Sequence, residues 1–484
     1  MEKTCKQCSA DFIITTEDLD FYTKVSPVFQ GQKYEIPAPS CCPDCRQQQR
    51  LAFRNERKMY VRKCDSSNKI IVSHFKADTK FPVYDYDLWW SNLFDGIKYQ
   101  KEYRFDINFF QQFNSLLQKV PWASKSTSDM KNSDYCNNSS FLDNCYLVFD
   151  SSKNKNCYYS TTLCRSEDCF DCFRVYDSKN CYFLSHSSDC TNCLFSHNLT
   201  NCTDCFGSNN LKDKQFYFFN QEYTEVEYHE KVSAYTKEHS HEEISKETKQ
   251  KPVKNDNDNT CYFSESLENS KYCLNIQKGQ KVSKNNYDIS HFGFDLNNSY
   301  HCTQVGLNTT DSAFCYYVWG NCHNIYYSMS CHNSHHLFGC IGLKNKKYCI
   351  FNKQYTEISY NELVPKVINH MQKTGEWGEF FPMNISPFDY NETVAQEYYP
   401  RDGDDTITKT QNYLGSKYII DPDIQNITPD ICEQVLTCEH SGELYKILPQ
   451  EFRFYKTMAL PIPRICPEQR YKERQEKRII DKLL

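Results

Sequence analysis

Cys145, Cys157, Cys169, Cys181, Cys193 and Cys205 stand twelve residues apart, five intervals in succession. Each is preceded by Asn or Asp, and all but Cys193 are followed by an aromatic residue: Tyr146, Tyr158, Phe170, Tyr182 and Phe206. A fixed short period of this kind gives every unit the same neighbours, and only stacked coils provide that arrangement. The period therefore predicts a mainly β chain built around a β-solenoid, each repeat forming one coil or a simple fraction of one.

A longer repeat lies over the short one. Phe206-Gly207 and the segment Leu211 to Tyr228 return as Phe338-Gly339 and Leu343 to Tyr360, 132 residues or eleven twelves further on. This predicts a duplicated module, a solenoid closed by an extended segment and then a helix starting near Tyr223 or Tyr355. The last coil exposes a sheet edge, which a following element must cover. In the second module the cadence holds at Cys261 and Cys273 and loosens through Tyr287 and Tyr300. It ends with Cys322, Cys331, Cys340 and Cys349 spaced by nine, which fits either smaller coils or a different face rich in cysteine.

The expected organisation is a zinc ribbon at 1–63, a degenerate ribbon with an amphipathic helix at 64–130, and a first solenoid at 131–221. A charged helix and linker follow at 222–258, a second solenoid at 259–354, a helix and extended arm at 355–430, and a degenerate metal-free ribbon at 431–484. Asp106 is the expected cap of the amphipathic helix, whose stripe of Phe109, Phe110, Phe113, Leu116, Leu117 and Val120 stops at Pro121. Pro382, Pro387 and Pro400 preclude one continuous helix in the arm, which is expected to lie along the solenoid.

The 28 cysteines need a redox context. No apolar stretch of signal-peptide length follows Met1 and no run approaches a membrane span, so the expected setting is cytoplasmic and reducing. The cysteines then read as thiols or metal ligands rather than disulfides. The formal charge of −6 names no partner by itself.

Cys5-Lys-Gln-Cys8 and Cys42-Pro-Asp-Cys45 form a CxxC pair of knuckles. Four thiolates are the donor set of a structural tetrahedral Zn(2+), and they leave no open position for catalysis. Pro43 and the polar residues after it suggest that the second knuckle opens a helix, as in a treble clef. Cys41 is the alternative to Cys42, and the CPxC pattern favours Cys42. Cys438 to Ser441 and Cys466 to Gln469 repeat this layout with each second cysteine lost, which predicts the fold without the metal. Cys64 to Ser67 with Tyr84 to Asp87 reads as a third, more eroded copy.

The span Cys5 to Arg62, with Asp20-Phe21-Tyr22, Cys42-Pro-Asp-Cys45-Arg46 and Leu51-Ala52-Phe53-Arg54, resembles the zinc-ribbon (treble-clef) family of small bacterial zinc-binding domains. Over essentially its full length the chain is similar to a group of uncharacterised zinc-ribbon proteins with Cys/Tyr-rich repeats from reduced-genome lineages. That likeness rests on Trp377 to Pro382, Ser386 to Phe388 and Tyr390 to Tyr398 besides the repeats. The resemblance implies three ribbons with CxxC pairs. This chain departs from it at Ser67, Tyr84, Asp87, Ser441 and Gln469. An acyl-CoA transferase label attached to some members finds no repeated βαβ pattern here.

Arg46, Arg50, Arg54 and Lys58 recur every four residues, with Arg57 and Arg62 close by. On one helix they make a basic stripe that either tracks nucleic-acid phosphates or forms a solvated face. Arg470, Arg474, Lys477 and Arg478 repeat the theme more weakly. The pairs Cys169/Cys172, Cys190/Cys193 and Cys202/Cys205 read as an inward ladder, with a second metal cluster as the alternative. His301, His323, His332, His335 and His336 form a looser candidate group. No nucleophile motif, phosphate loop or HExxH is present. The expectation is a non-enzymatic zinc-binding scaffold that meets protein, RNA or the ribosome through the basic helix or the aromatic solenoid face. A solenoid enzyme acting on a polymer or glycan is the alternative.

Overall fold

The computed structural model describes residues 1–248, 261, 264, 267–277, 282–293, 295–401, 420–421 and 423–476. Residues 249–258 of the expected helix and linker segment, residues 402–419 of the expected arm, and Lys477 and Arg478 lie outside them. The fold is a β-solenoid of about 17 turns accompanied by helices. The chain divides into two compact units, residues 1–125 with 254–405 and 481–484, and residues 126–253 with 406–480.

In the second unit the solenoid strands pair in parallel with a register of twelve, as in Cys169↔Cys181, Thr191↔Thr203 and Cys193↔Cys205. Within each coil a shorter rhythm governs the chain. Nearly every third residue has positive φ, for example Asn144, Leu147, Asp150, Lys153 and Asn156. Each coil therefore turns four corners, and the residue after each corner points inward. Cys145, Val148, Ser151 and Asn154 are one such set, and all four are buried. A narrow lumen explains the small inward residues. Their polar atoms are satisfied by the coil itself, since Ser160 Oγ donates to Tyr158 O at 2.8 Å and Cys172 N donates to Ser160 Oγ at 3.0 Å. The corner amides stack as ladders, Asn144 Nδ2 donating to Asn156 Oδ1 at 2.8 Å and Asn156 Nδ2 to Asp168 Oδ1 at 3.0 Å.

The solenoid of the first unit is wider at its start. Lys284↔Asn297, Asn297↔Thr310 and Thr310↔His323 are thirteen apart, and the register returns to twelve at His323↔His335↔Lys347. The offset of 132 is thus not eleven equal coils. The nine-residue cysteine spacing is three corner-to-corner steps and places successive thiols on different sides of the lumen, not in smaller coils. Cys331, Cys340 and Cys349 are all fully buried.

Both solenoids end alike. Gln215–Phe218 pairs antiparallel with Gln221–Glu222, and Lys347–Ile350 with Lys353–Gln354. Helices Glu225–Glu238 and Glu357–Lys373 follow, close to the starts expected near Tyr223 and Tyr355, and are capped by the Thr224 and Thr356 hydroxyls. The helix near 109 differs in its cap. It spans Phe109–Leu117, and Glu376 accepts from Phe109 N at 2.9 Å and Phe110 N at 2.8 Å, while Asp106 is drawn to Arg104. Residues 374–401 do not simply run along the solenoid. They also fasten to the N-terminal segment, where Trp377 Nε1 donates to Glu35 O at 2.8 Å and Val394 N to Arg54 O at 2.9 Å.

Candidate metal centre

Three short loops share one backbone pattern. Cys5 N donates to Ala10 O and Ser9 N to Cys5 O; Cys64 N donates to Lys69 O and Asn68 N to Cys64 O; Cys438 N donates to Glu443 O and Gly442 N to Cys438 O. The fifth residue of each loop has positive φ, at Ser9, Asn68 and Gly442. The first sulfur then accepts from the backbone N–H at the start of a later helix: Cys42 N to Cys5 Sγ at 3.3 Å, Asp85 N to Cys64 Sγ at 3.2 Å, and Cys466 N to Cys438 Sγ at 3.3 Å. Asp85 therefore stands where Cys42 does, and Leu88 where Cys45 does. This shifts the sequence-based alignment of the middle copy, which placed the losses at Tyr84 and Asp87, by one residue.

The N-terminal copy alone has four sulfurs. Cys5, Cys8, Cys42 and Cys45 offer ligand atoms all within 4.8 Å of one another, and Cys8 is the one exposed member. Cys8 Sγ and Cys42 Sγ are 3.7 Å apart. Sulfurs around a tetrahedral ion at a metal–sulfur distance of about 2.3 Å lie roughly 3.8 Å apart, so the donor set fits one ion. Cys41 is outside the group, its sulfur approached by Gln49 Nε2 at 3.7 Å. Without an ion the thiols differ. Burial raises Cys5, but N–H donors from Cys42, Cys8 and Gln7 bring it down to about 6; burial pushes Cys42 up to about 12 and Cys45 higher still. Four adjacent sulfurs cannot all ionise unaided, and an ion would resolve the repulsion.

The second knuckle opens helix Pro43–Leu51 with Pro43 in its first turn. The helix ends at Leu51, so the four-residue stripe of Arg46, Arg50, Arg54 and Lys58 does not continue on one face. Its arginines are not a surface either. Arg46, Arg50 and Arg54 are 3%, 0% and 1% exposed, which leaves no area for phosphate. Arg46 Nε donates to Asp288 Oδ2 at 2.9 Å and Arg50 Nη1 to Asp288 Oδ1 at 3.0 Å, on a solenoid coil of the same unit. Arg54 pairs with Glu56. Arg57 is half-buried, and Lys58 remains exposed with its N–H held by Asn55.

The C-terminal copy repeats this fork without the sulfur set. Arg470 Nε and Arg474 Nη1 meet Asp171 at 2.9 and 2.6 Å, and Arg470 also meets Glu451 at 3.0 Å. Gln469 N donates to Cys466 Sγ at 3.4 Å, and Ser441 Oγ lies 3.8 Å from the same sulfur. Ser441 thus meets Cys466 with its hydroxyl at one lost ligand position, while at the other Gln469 meets it with its backbone N–H and turns its side chain to His440 and Glu473. Aromatic residues at the repeat positions are also covered within each unit. Phe170 stacks on Phe454 at 4.1 Å, and Phe21 on Tyr287 at 3.7 Å. The aromatic face expected to bind a partner is therefore part of the core. His301 stacks on Phe380 at 4.6 Å and His332 is fully buried, so the five-histidine group does not assemble as one. The internal CxxC thiols point into the lumen, Cys172 Sγ reaching Cys181 O at 3.5 Å and Cys193 Sγ reaching Cys202 O at 3.5 Å. No helix among the described residues is long and apolar enough to cross a membrane.

Comparison with protein-family models, curated proteins and solved structures yields no match to this chain.

Proposed function

We propose that the protein is a non-enzymatic scaffold whose N-terminal treble-clef ribbon is fixed by one structural Zn(2+) on Cys5, Cys8, Cys42 and Cys45. One observation carries the reading. The helix opened by Cys42 and Cys45 sends Arg46 and Arg50 onto Asp288, so the sulfur cluster sets the position of a buried ionic lock. The C-terminal copy, which lacks the four-sulfur set, keeps the same lock through Arg470, Arg474 and Asp171, which suits a structural rather than a catalytic ion. Four sulfur ligands leave no coordination site for a substrate. RNA or ribosome binding through the basic helix loses its support because those arginines are buried, and a protein partner is the remaining form of the scaffold reading.

The test is capture of partners from native lysate by the full chain, with and without nuclease, beside metal analysis of the same preparation. One zinc per chain, its loss in Cys8→Ser or Cys45→Ser, and a nuclease-resistant protein partner captured by the zinc-loaded chain are expected. Absence of bound metal, or a partner released by nuclease, overturns the reading.

A further inference from the structure

The solenoid of the first unit gathers three histidines at a place independent of the cysteine cluster. His323 and His335 face each other in adjacent parallel strands, their rings stacked at 4.6 Å and 6°. A stacked pair alone would be one rung of a ladder. His336 changes that, because its positive φ corner turns its ring towards the same space, 5.4 Å from His323 and 5.1 Å from His335. His335 Nδ1 and His336 Nδ1 are 2.9 Å apart, and one ring nitrogen from each of the three lies within 4.8 Å of the others. All three are half-buried and so open to an incoming ion.

We propose that His323, His335 and His336 form a second metal site, for a divalent ion of the zinc, cobalt or nickel class. Three imidazoles are a familiar donor set for these ions, and at metal–nitrogen distances of about 2.0–2.1 Å the nitrogens would sit roughly 3.4 Å apart. Small side-chain rotations cover that difference. The fourth position falls to water, unlike the closed cysteine set. Asn324 is the outer partner, its amide 3.2 Å from His336 Nε2. An amide can turn its oxygen to accept from Nε2–H, which frees Nδ1 for the ion.

The experiment uses the full chain carrying one equivalent of zinc, titrated with Co2+ and followed by absorption and X-ray absorption spectroscopy. A second equivalent should bind with nitrogen and oxygen scatterers and without sulfur-to-cobalt charge transfer. His323→Gln and His335→Gln should each weaken it at least about tenfold, and Asn324→Ala about 10–100-fold, while the first equivalent stays bound. Cys8→Ser should remove the first equivalent only, which separates this site from the zinc reading. Failure of the wild type to take up a second ion, sulfur scatterers around that ion, or unchanged uptake in folded histidine variants would overturn the proposal. The wild-type scattering decides the matter even where a variant does not fold.

Discussion

Asp288 and Asp171 carry the most consequence per atom in their units. Each is fully buried and receives two guanidinium groups from one helix, Pro43–Leu51 or Pro467–Glu476. Removing one partner of a buried ion pair strands the other charge, at a cost of about 3–5 kcal/mol. Asp288→Ala should therefore destabilise the first unit by that amount in denaturant titration, and an exposed acid such as Asp177 should not matter on this scale. A loss below about 1 kcal/mol for Asp288→Ala would refute the lock. Nothing in the sequence marks these acids, because each is simply one more Asp at a corner position. The arginines were visible, but their direction was not, since a four-residue spacing on a short helix is the same for a solvated face and a buried one. Glu242 gives a pH counterpart. Burial raises its pKa, but His241 and the Arg464 N–H more than offset this and hold it at about 2, below the ordinary glutamate value of 4.5. A depressed carboxyl stabilises the fold above its unfolded value, and that contribution is lost as pH falls from about 4.5 to about 2. Glu242→Gln should flatten the acid limb of the stability curve in this window and leave it unchanged at lower pH.

At the scale of the element, the solenoid was legible because its period is imposed by geometry. Each coil must present the same side chains to the coils above and below, so twelve-residue spacing survives as sequence. The three-residue corner rhythm was hidden, as Asn, Asp, Leu, Arg, Phe and His all occupy positive φ there and share no single chemical label. The thirteen-residue coils were hidden too, visible only as a drift from Cys273 to Tyr287 and Tyr300. The lumen gives a sharp contrast between substitutions. Cys181 is fully buried and its sulfur faces Lys179 O at 3.3 Å. Cys181→Ser keeps size and a donor, so it should cost no more than about 1 kcal/mol. Cys181→Arg places a charge and a long side chain where neither fits, and should cost more than about 4 kcal/mol or prevent folding. Thermal or denaturant melts of both variants check this, and equal stabilities would mean the thiol faces outward.

At the scale of the whole molecule, two units solve the same problem with different chemistry. In each, a terminal segment built on a cysteine loop and a following helix packs on aromatic residues of a solenoid and inserts paired arginines onto a buried aspartate. The first unit holds its ribbon with a cluster of four sulfurs, and the second fills the same positions with Ser441 and Gln469. The sequence revealed the lost cysteines, yet not that hydrogen bonds to the surviving sulfurs, Cys438 and Cys466, keep the loop shape. Chelation should therefore act on one unit. If the proposed ion occupies the site, its removal leaves four crowded thiols, of which Cys42 and Cys45 resist ionisation, and the helix carrying Arg46 and Arg50 loses its anchor. Because binding free energy at such a site is folding free energy, hydrogen exchange should accelerate across residues 1–63 and the coil around Asp288. Residues 436–474 and the coil around Asp171 should exchange at their original rates, since nothing there depends on an ion. Uniform acceleration in both units, or none in either, would show that the sulfur cluster does not hold the N-terminal segment in place.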